Sequence, residues 1–275
     1  MSLYATPDLV RQLQEAGVPD PQRDLRVLFR AAYERGGDSG PQSEDAPNGA
    51  TRTLFAQYVA QRRDRMPVSQ IVGSRAFWRH DFIVTPDVLD PRPDTETLVA
   101  AGLEAPFARV LDLGTGSGCV LLSLLADQPG ATGLGVDRSS AALDVARRNA
   151  QALDLTSRAA WAQGDWLAPV EGQFDLIVSN PPYIPAADIA YLQPEVREFE
   201  PHMALTDEGD GLGAYRVIFA KAATYLLPGG RVAVEFGLGQ EDDVGSTARA
   251  AGWSDISLRD DLTGRARVLV AKSPV

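Results

Sequence analysis

Beyond residue 109 the chain alternates short apolar runs with amphipathic stretches, and this alternation restricts the fold more than any other feature. Val110 to Leu113, Thr132 to Val136, Ala159 to Gln163, Phe174 to Ser179 and Val232 to Phe236 have the length and apolar content of buried strands. Among them, Ser117 to Asp127, Ser140 to Leu153 and Gly213 to Leu226 read as helices, as does Asp242 to Ala251 further on. Strands alternating with helices form a parallel sheet covered on both faces, a doubly wound α/β fold. Two last strands, near Ile256 to Arg259 and Ala266 to Ala271, are joined by Asp260 to Arg265 and add an antiparallel hairpin at the edge. The expectation is a mostly parallel, seven-stranded sheet.

Ahead of the sheet the pattern differs. Leu9, Val10, Leu13 and Ala16, then Leu25, Val27, Leu28, Ala31 and Ala32, mark two amphipathic helices separated at Pro19 and Pro21. A third runs from about Thr51 to Arg65 and ends before Pro67, after the stretch Gly36 to Ala50, which has no apolar face and reads as a mobile loop. From Val68 to Leu89 the chain turns β-branched and aromatic, with Gly73 as punctuation, which predicts a β-hairpin. Asp94 stands where it can cap a helix opening near Thr95. The division expected is a small N-terminal helical subdomain over residues 1–75, a hairpin linker over 76–92 and the α/β domain over 93–275.

With 275 residues and 44% hydrophobic content the chain can bury a full core. No stretch approaches the roughly 18 consecutive apolar residues of a membrane span, and no basic-then-apolar leader opens the sequence, so a cytoplasmic protein with no membrane partner is expected. A single cysteine, Cys119, and two histidines argue against an internal disulfide and against a metal site. The net charge of −11 is uneven, with 28 acidic against 15 basic residues beyond residue 80. That half repels a phosphate backbone, and no direct nucleic-acid binding is expected.

Two stretches carry chemistry. Leu111-Asp112-Leu113-Gly114-Thr115-Gly116-Ser117-Gly118 leaves a strand, turns on three glycines and enters a helix, so backbone can approach a ligand closely. Its spacing is not that of the dinucleotide fingerprint, and it has no lysine for a phosphate-cradling loop. Asp137, at the end of the next strand, can accept from both hydroxyls of a ribose, and Asp165-Trp166 after the third strand offers a carboxylate and a ring to an adenine. The second stretch is Asn180-Pro181-Pro182-Tyr183, directly after Phe174 to Ser179. Two prolines remove two N–H donors, so the Asn180 side-chain oxygen and the Pro181 carbonyl can accept both hydrogens of a planar NH2 group beside the Tyr183 ring.

This combination resembles the class I S-adenosylmethionine-dependent methyltransferases, which have a Rossmann-like sheet. The resemblance implies that Asp112 and the loop of Gly114, Thr115, Gly116, Ser117 and Gly118 sit against the methionine and ribose of S-adenosyl-L-methionine. It implies too that Asp137 binds the ribose hydroxyls, that Asp165 and Trp166 contact adenine, and that Asn180 also lies against the cofactor. Among such enzymes, Asn-Pro-Pro-Tyr in this place marks methylation of a nitrogen conjugated to a π-system: adenine N6, cytosine N4 or the side-chain amide of glutamine.

The wider pattern is similar to that of HemK/PrmC-type enzymes: Arg62-Arg63, Ile71 with Gly73, Phe77-Trp78, Pro91-Arg92-Pro93-Asp94-Thr95-Glu96, Glu200-Pro201, Asp210-Gly211-Leu212, Pro228-Gly229-Gly230 and Asp261-Leu262 with Gly264-Arg265. Members of that family methylate N5 of the glutamine in the Gly-Gly-Gln loop of peptide chain release factors, release S-adenosyl-L-homocysteine, and hold the factor with a helical N-terminal subdomain. The resemblance implies that Asn180 and Pro181 bind the glutamine amide, that Pro182 and Tyr183 pack beside it, and that Arg92, Pro93 and Glu96 line the entrance, with Asn180, Pro181 and Tyr183 as the catalytic set. Asp90 departs from the family, which has an apolar residue there, and Gly36 to Ala50 is longer and more polar. A monomer acting on a release factor is expected. Ribosomal-protein glutamine methylation is the neighbouring alternative; adenine-N6 methylation of nucleic acid and a non-catalytic cofactor-binding module are more distant ones.

Overall fold

The structure is a computed structural model that describes residues 5–39 and 46–273. The chain opens with α1 (Pro7–Glu15), α2 (Pro21–Arg35), α3 (Gly49–Arg63) and α4 (Val68–Val72), then the hairpin β1 (Ser74–Phe77) and β2 (His80–Ile83). Next come α5 (Glu96–Leu103), β3 (Arg109–Leu113), α6 (Cys119–Asp127), β4 (Thr132–Asp137), α7 (Ser140–Ala152), β5 (Ala159–Gln163) and β6 (Phe174–Ser179). The last part contains α8 (Pro194–Phe199), α9 (His202–Leu205), α10 (Gly213–Lys221), β7 (Leu226–Glu235), α11 (Glu241–Ala250), β8 (Ser254–Asp260) and β9 (Ala266–Lys272). No described helix is long and apolar enough to cross a membrane.

The chain divides into two compact units, one running up to Ser74 and including Gln193–Phe199, the other comprising Arg75–Leu192 and Glu200–Val275. In the helical unit, Thr6 and Asp20 cap α1 and α2 through their side chains, and each helix has proline in its first turn. Leu13, Leu25, Leu28 and Ala32 are buried between these helices and α3. Arg62 is buried too, and it is paired: its guanidinium meets Asp24 at 2.7 Å and Glu195 of α8 at 2.9 Å.

The larger unit is built on a seven-stranded sheet in the order β5-β4-β3-β6-β7-β9-β8. Strands β3 to β7 are parallel, and β9 runs antiparallel between β7 and the edge strand β8. Side chains alternate along each strand, so two cores form. Val110, Leu176, Val178 and Ala233 face a layer that includes Leu98 and Val99 of α5 and Val120 to Leu125 of α6. Leu111, Ile177, Val232 and Val234 face Tyr215, Ile218 and Phe219 of α10 and Val244 of α11.

Several local expectations are corrected. Val68–Val72 is a short helix, ended by Gly73 at φ 67°, so the hairpin begins only at Ser74. Ile71 and Val72 bury their side chains in the helical unit, a tertiary demand that overrides their strand propensity. Asp94 does not cap α5: it lies in the 3-10 turn Pro93–Thr95 and pairs with Arg267 at 3.0 Å. Strand β7 begins at Leu226, because Pro228-Gly229-Gly230 is absorbed at a register shift against β6. In the Gly36 to Ala50 stretch, Asn48 caps α3 and its backbone N–H bonds Asp38 at 3.0 Å; residues 40–45 of the expected mobile loop lie outside the described residues.

Candidate active site

The carboxyl ends of β3, β4 and β6 meet at a cavity of about 570 Å³, of the size that holds a small ligand. Gly114 and Gly116 line it, together with Asp137, Asp165, Trp166, Asn180 and Pro182. The loop between β3 and α6 has positive φ at Gly114, Gly116 and Gly118. At Gly118 a Cβ would also meet Trp161, Ala146 and Leu122 at 3.1 to 3.2 Å, so glycine lets the start of α6 pack this closely. The Thr115 hydroxyl donates to Asp112 at 2.7 Å, and Asp137 accepts from the N–H groups of Gly116 at 2.8 Å and Ser139 at 2.9 Å. Asn149, buried on α7, donates to the Ser117 carbonyl at 2.9 Å and exchanges bonds with the backbone of Ile83, tying the loop to β2.

Asn180 stands where β6 ends. It lines this cavity and also a smaller one, about 40 Å³, formed by Asp90, Arg92, Thr95, Asp112, Thr115, Ser117 and Cys119 among others. Its Nδ2 donates to the Thr95 hydroxyl at 3.2 Å. The chain after the tetrapeptide is fixed by backbone bonds from Ile184 to Leu205 and from Ala186 to Gly209, both 3.0 Å. Gly211 makes this possible: at φ 77° it approaches so closely that a Cβ would stand 2.3 Å from the Tyr183 carbonyl oxygen. Gln240 donates to that same oxygen at 3.0 Å.

The site concentrates acidic groups that ionise reluctantly. Burial pushes Asp112 up to about 7, against the bond from Thr115, with Asp137 adding repulsion. Burial likewise raises Asp137, and it raises Glu200 to about 7 although Arg92 bonds it at 2.5 Å. Glu235, at the end of β7, is raised to about 7 by burial. Asp137 lines the larger cavity and Asp112 the smaller, and a cationic ligand would relieve both desolvated carboxyls. The Cys119 thiol is pushed up to about 12 by desolvation, so it is inert as a nucleophile at neutral pH.

The expected residues do not all converge. Asp137, Asp165, Trp166, Asn180, Pro182 and the glycines line the larger cavity; Arg92, Asp112, Thr115 and Ser117 line the smaller. Gly118 is packed behind the loop. Pro93, Glu96, Pro181 and Tyr183 line neither. The Glu96 carboxylate accepts from the Trp78 backbone N–H at 2.8 Å, and Pro181 is buried. Tyr183 packs against the core of the α10 layer, and burial raises its phenol well above the usual range. Thr95, Glu200 and Pro201 stand in the motifs quoted above, but no periodicity or spacing marks a role for them, nor for Asn149 and Glu235; Pro201, Met203, Ala204, Thr206 and Asp207 also line the larger cavity.

Residues 88–193 match the model of the methyltransferase small domain family. Over 267 residues, 95% of this chain and 82% of the relative, the sequence is 49% identical to a release factor glutamine methyltransferase of Rhodospirillum rubrum. It is 46% identical, over 96% of each chain, to one of Cereibacter sphaeroides. The crystal structure of a methyltransferase from Pyrococcus furiosus shares the fold, with a TM-score of 0.56 at 18% identity over 82% of this chain and 97% of that one.

Proposed function

The chain belongs to the release factor glutamine methyltransferases, and we propose that it moves a methyl group from S-adenosyl-L-methionine to the side-chain nitrogen of the glutamine in the Gly-Gly-Gln loop of a release factor. The observation that carries the mechanism is Asn180, an amide at the carboxyl edge of the sheet that lines both cavities, with its Nδ2 committed to Thr95 and its oxygen given no donor by any described residue. A side-chain amide nitrogen is a poor nucleophile because its lone pair is delocalised. An acceptor at its N–H groups returns electron density to nitrogen and orients it for attack, so position and electrostatics carry the rate.

The residues present fit the cofactor. When bound, S-adenosyl-L-methionine supplies an electrophilic methyl group on a cationic sulfur. Asp112, with its depressed tendency to ionise, and the open Gly114–Gly116 backbone are suited to the positively charged methionyl part. Asp137 is held in place by two backbone N–H groups and is suited to ribose hydroxyls; Asp165 and Trp166 are suited to an adenine. Arg92, bonded to Glu200, is at the wall of the smaller cavity and is suited to the substrate side. In this reading the helical unit recognises the factor, the reaction takes place in the cytoplasm, and the acidic catalytic half argues against nucleic acid as substrate.

Transfer of labelled methyl to purified release factor, followed by mapping of the modified residue, tests the reading. Label on the Gly-Gly-Gln glutamine, lost when that glutamine is replaced, is the expected result; label on a ribosomal protein or on nucleic acid instead would replace the substrate.

A further inference from the structure

We infer that Thr95 and Glu235 are positioning residues that lock the Asn180 side-chain amide with its oxygen toward the cavity. The inference deepens the proposed function and rests on its reading of Asn180 as the acceptor for the substrate amide.

Strand alternation brings the three together. Asn180 continues the side of β6 that carries Val178, and Glu235 continues the side of β7 that carries Ala233; Val178 and Ala233 belong to the core that includes Leu98 and Val99 of α5. The parallel register pairs Ser179 with Val234, so Asn180 and Glu235 follow at adjacent strand ends. Thr95 immediately precedes α5, which packs on that same side of the sheet. Thr95 is buried, and its backbone N–H is anchored on the Arg92 carbonyl at 3.1 Å.

Hydrogen-bond direction then sets the amide. The Thr95 hydroxyl receives Asn180 Nδ2 at 3.2 Å and stands within reach of the Glu235 carboxyl group. A hydroxyl has one proton to donate. An ionised carboxylate only accepts, so in that form Glu235 draws the Thr95 proton to itself. What remains toward Asn180 is a lone pair, which takes an N–H and not an oxygen. The flipped amide would set oxygen against oxygen at Thr95 and turn a donor toward a substrate that itself offers N–H groups. Glu235 is buried with Arg267 and Arg92 as its charge partners, and its Oε2 has no hydrogen-bond partner among the described residues.

The test measures kcat, the KM for release factor, cofactor affinity and thermal stability in four variants of the whole enzyme. Thr95→Val keeps shape and removes the hydroxyl; it is expected to lower kcat by roughly a hundredfold, while cofactor affinity stays within about twofold. Thr95→Ser restores the hydroxyl and is expected to stay within about threefold of wild type. Glu235→Leu frees the Thr95 proton to turn toward Asn180, and is expected to lower kcat by roughly tenfold without loss of stability. Glu235→Gln keeps a carbonyl acceptor and is expected to recover most of that loss. If Thr95→Val does not fold, the two Glu235 variants decide the matter. A wild-type kcat in folded Thr95→Val or in Glu235→Leu overturns the lock while leaving the proposed function intact. If the wild-type enzyme leaves the glutamine unlabelled, the proposed function and the lock fall together.

Discussion

The two ends of the site are held by different means. At the glycine loop both carboxylates have a partner close in sequence: Thr115 bonds Asp112 three residues away, and Ser139 bonds Asp137 two residues away, with Gly116 and Asn149 adding longer-range ties. At the tetrapeptide the support is remote, with Thr95 reaching Asn180 across 85 residues of sequence and Glu235 arriving from another strand. Local bonding gives a rigid wall whose shape follows from a short segment. Remote bonding leaves an acceptor open toward the ligand, and its orientation depends on the whole α5 side of the sheet being packed. One end is suited to binding, the other to the differential contacts that lower a barrier.

The comparison predicts that substitutions at the two ends fail in different kinetic parameters. Asn180→Ala removes the open acceptor from a strand end whose backbone is already held by its neighbours. It is expected to lower kcat by roughly a thousandfold, at the upper end of what one such group supplies, with little change in melting temperature. Wild-type turnover in that variant would end the mechanism. Asp137→Ala, by contrast, is expected to weaken cofactor affinity by roughly ten- to a hundredfold, with the loss appearing in the KM for S-adenosyl-L-methionine before it appears in kcat. An unchanged affinity would erase the distinction between the ends. The Thr95 variants sharpen it, since they act on the tetrapeptide end alone.

The same division governs what could be read from the sequence. The sheet, its mostly parallel order and the edge hairpin follow from alternation and turn residues, which are local properties. The glycine loop and Asp137 could be recognised for the same reason, because each stands at the end of a strand whose βα turn is marked by its own short segment. Val68–Val72 is helical against its β-branched pattern because its residues are buried by contacts in the helical unit, and nothing within five residues reveals that. Asp94 has the chemistry of a helix cap, yet Arg267 claims it from a strand far along the chain. Tyr183 looked like a ring available for stacking, but its position against the core is decided by Gly237, where a Cβ would lie 3.0 Å from its ring. Thr95 and Glu235 were missed because a hydroxyl and a carboxyl have no periodicity, and they become related only when β6, β7 and α5 are assembled.

The smallest effect expected is one of pH, and it bears on the binding end. Burial holds Asp112 at about 7, so in the ligand-free protein it keeps its proton below that pH. A cationic ligand favours the ionised form, and binding below pH 7 therefore releases that proton. Affinity for S-adenosyl-L-methionine is expected to fall by roughly eightfold between pH 7.5 and pH 6, the limit for one group titrating near 7. Asp112→Asn should bind more weakly and lose the slope. Stability carries the complementary sign: a carboxyl whose folded pKa is above its unfolded value binds its proton more tightly when folded, so its contribution is lost as pH rises through the folded value. Asp112, Glu200 and Glu235 all share that sign, whereas Asp210 and Asp261, held at about 2 by their hydrogen bonds, act only in more acidic solution. The melting temperature of ligand-free protein should then decline from pH 5 to pH 8, and added cofactor should restore most at the upper end. Calorimetric binding across this range checks both halves, and a flat affinity would remove Asp112 from the binding end of the site.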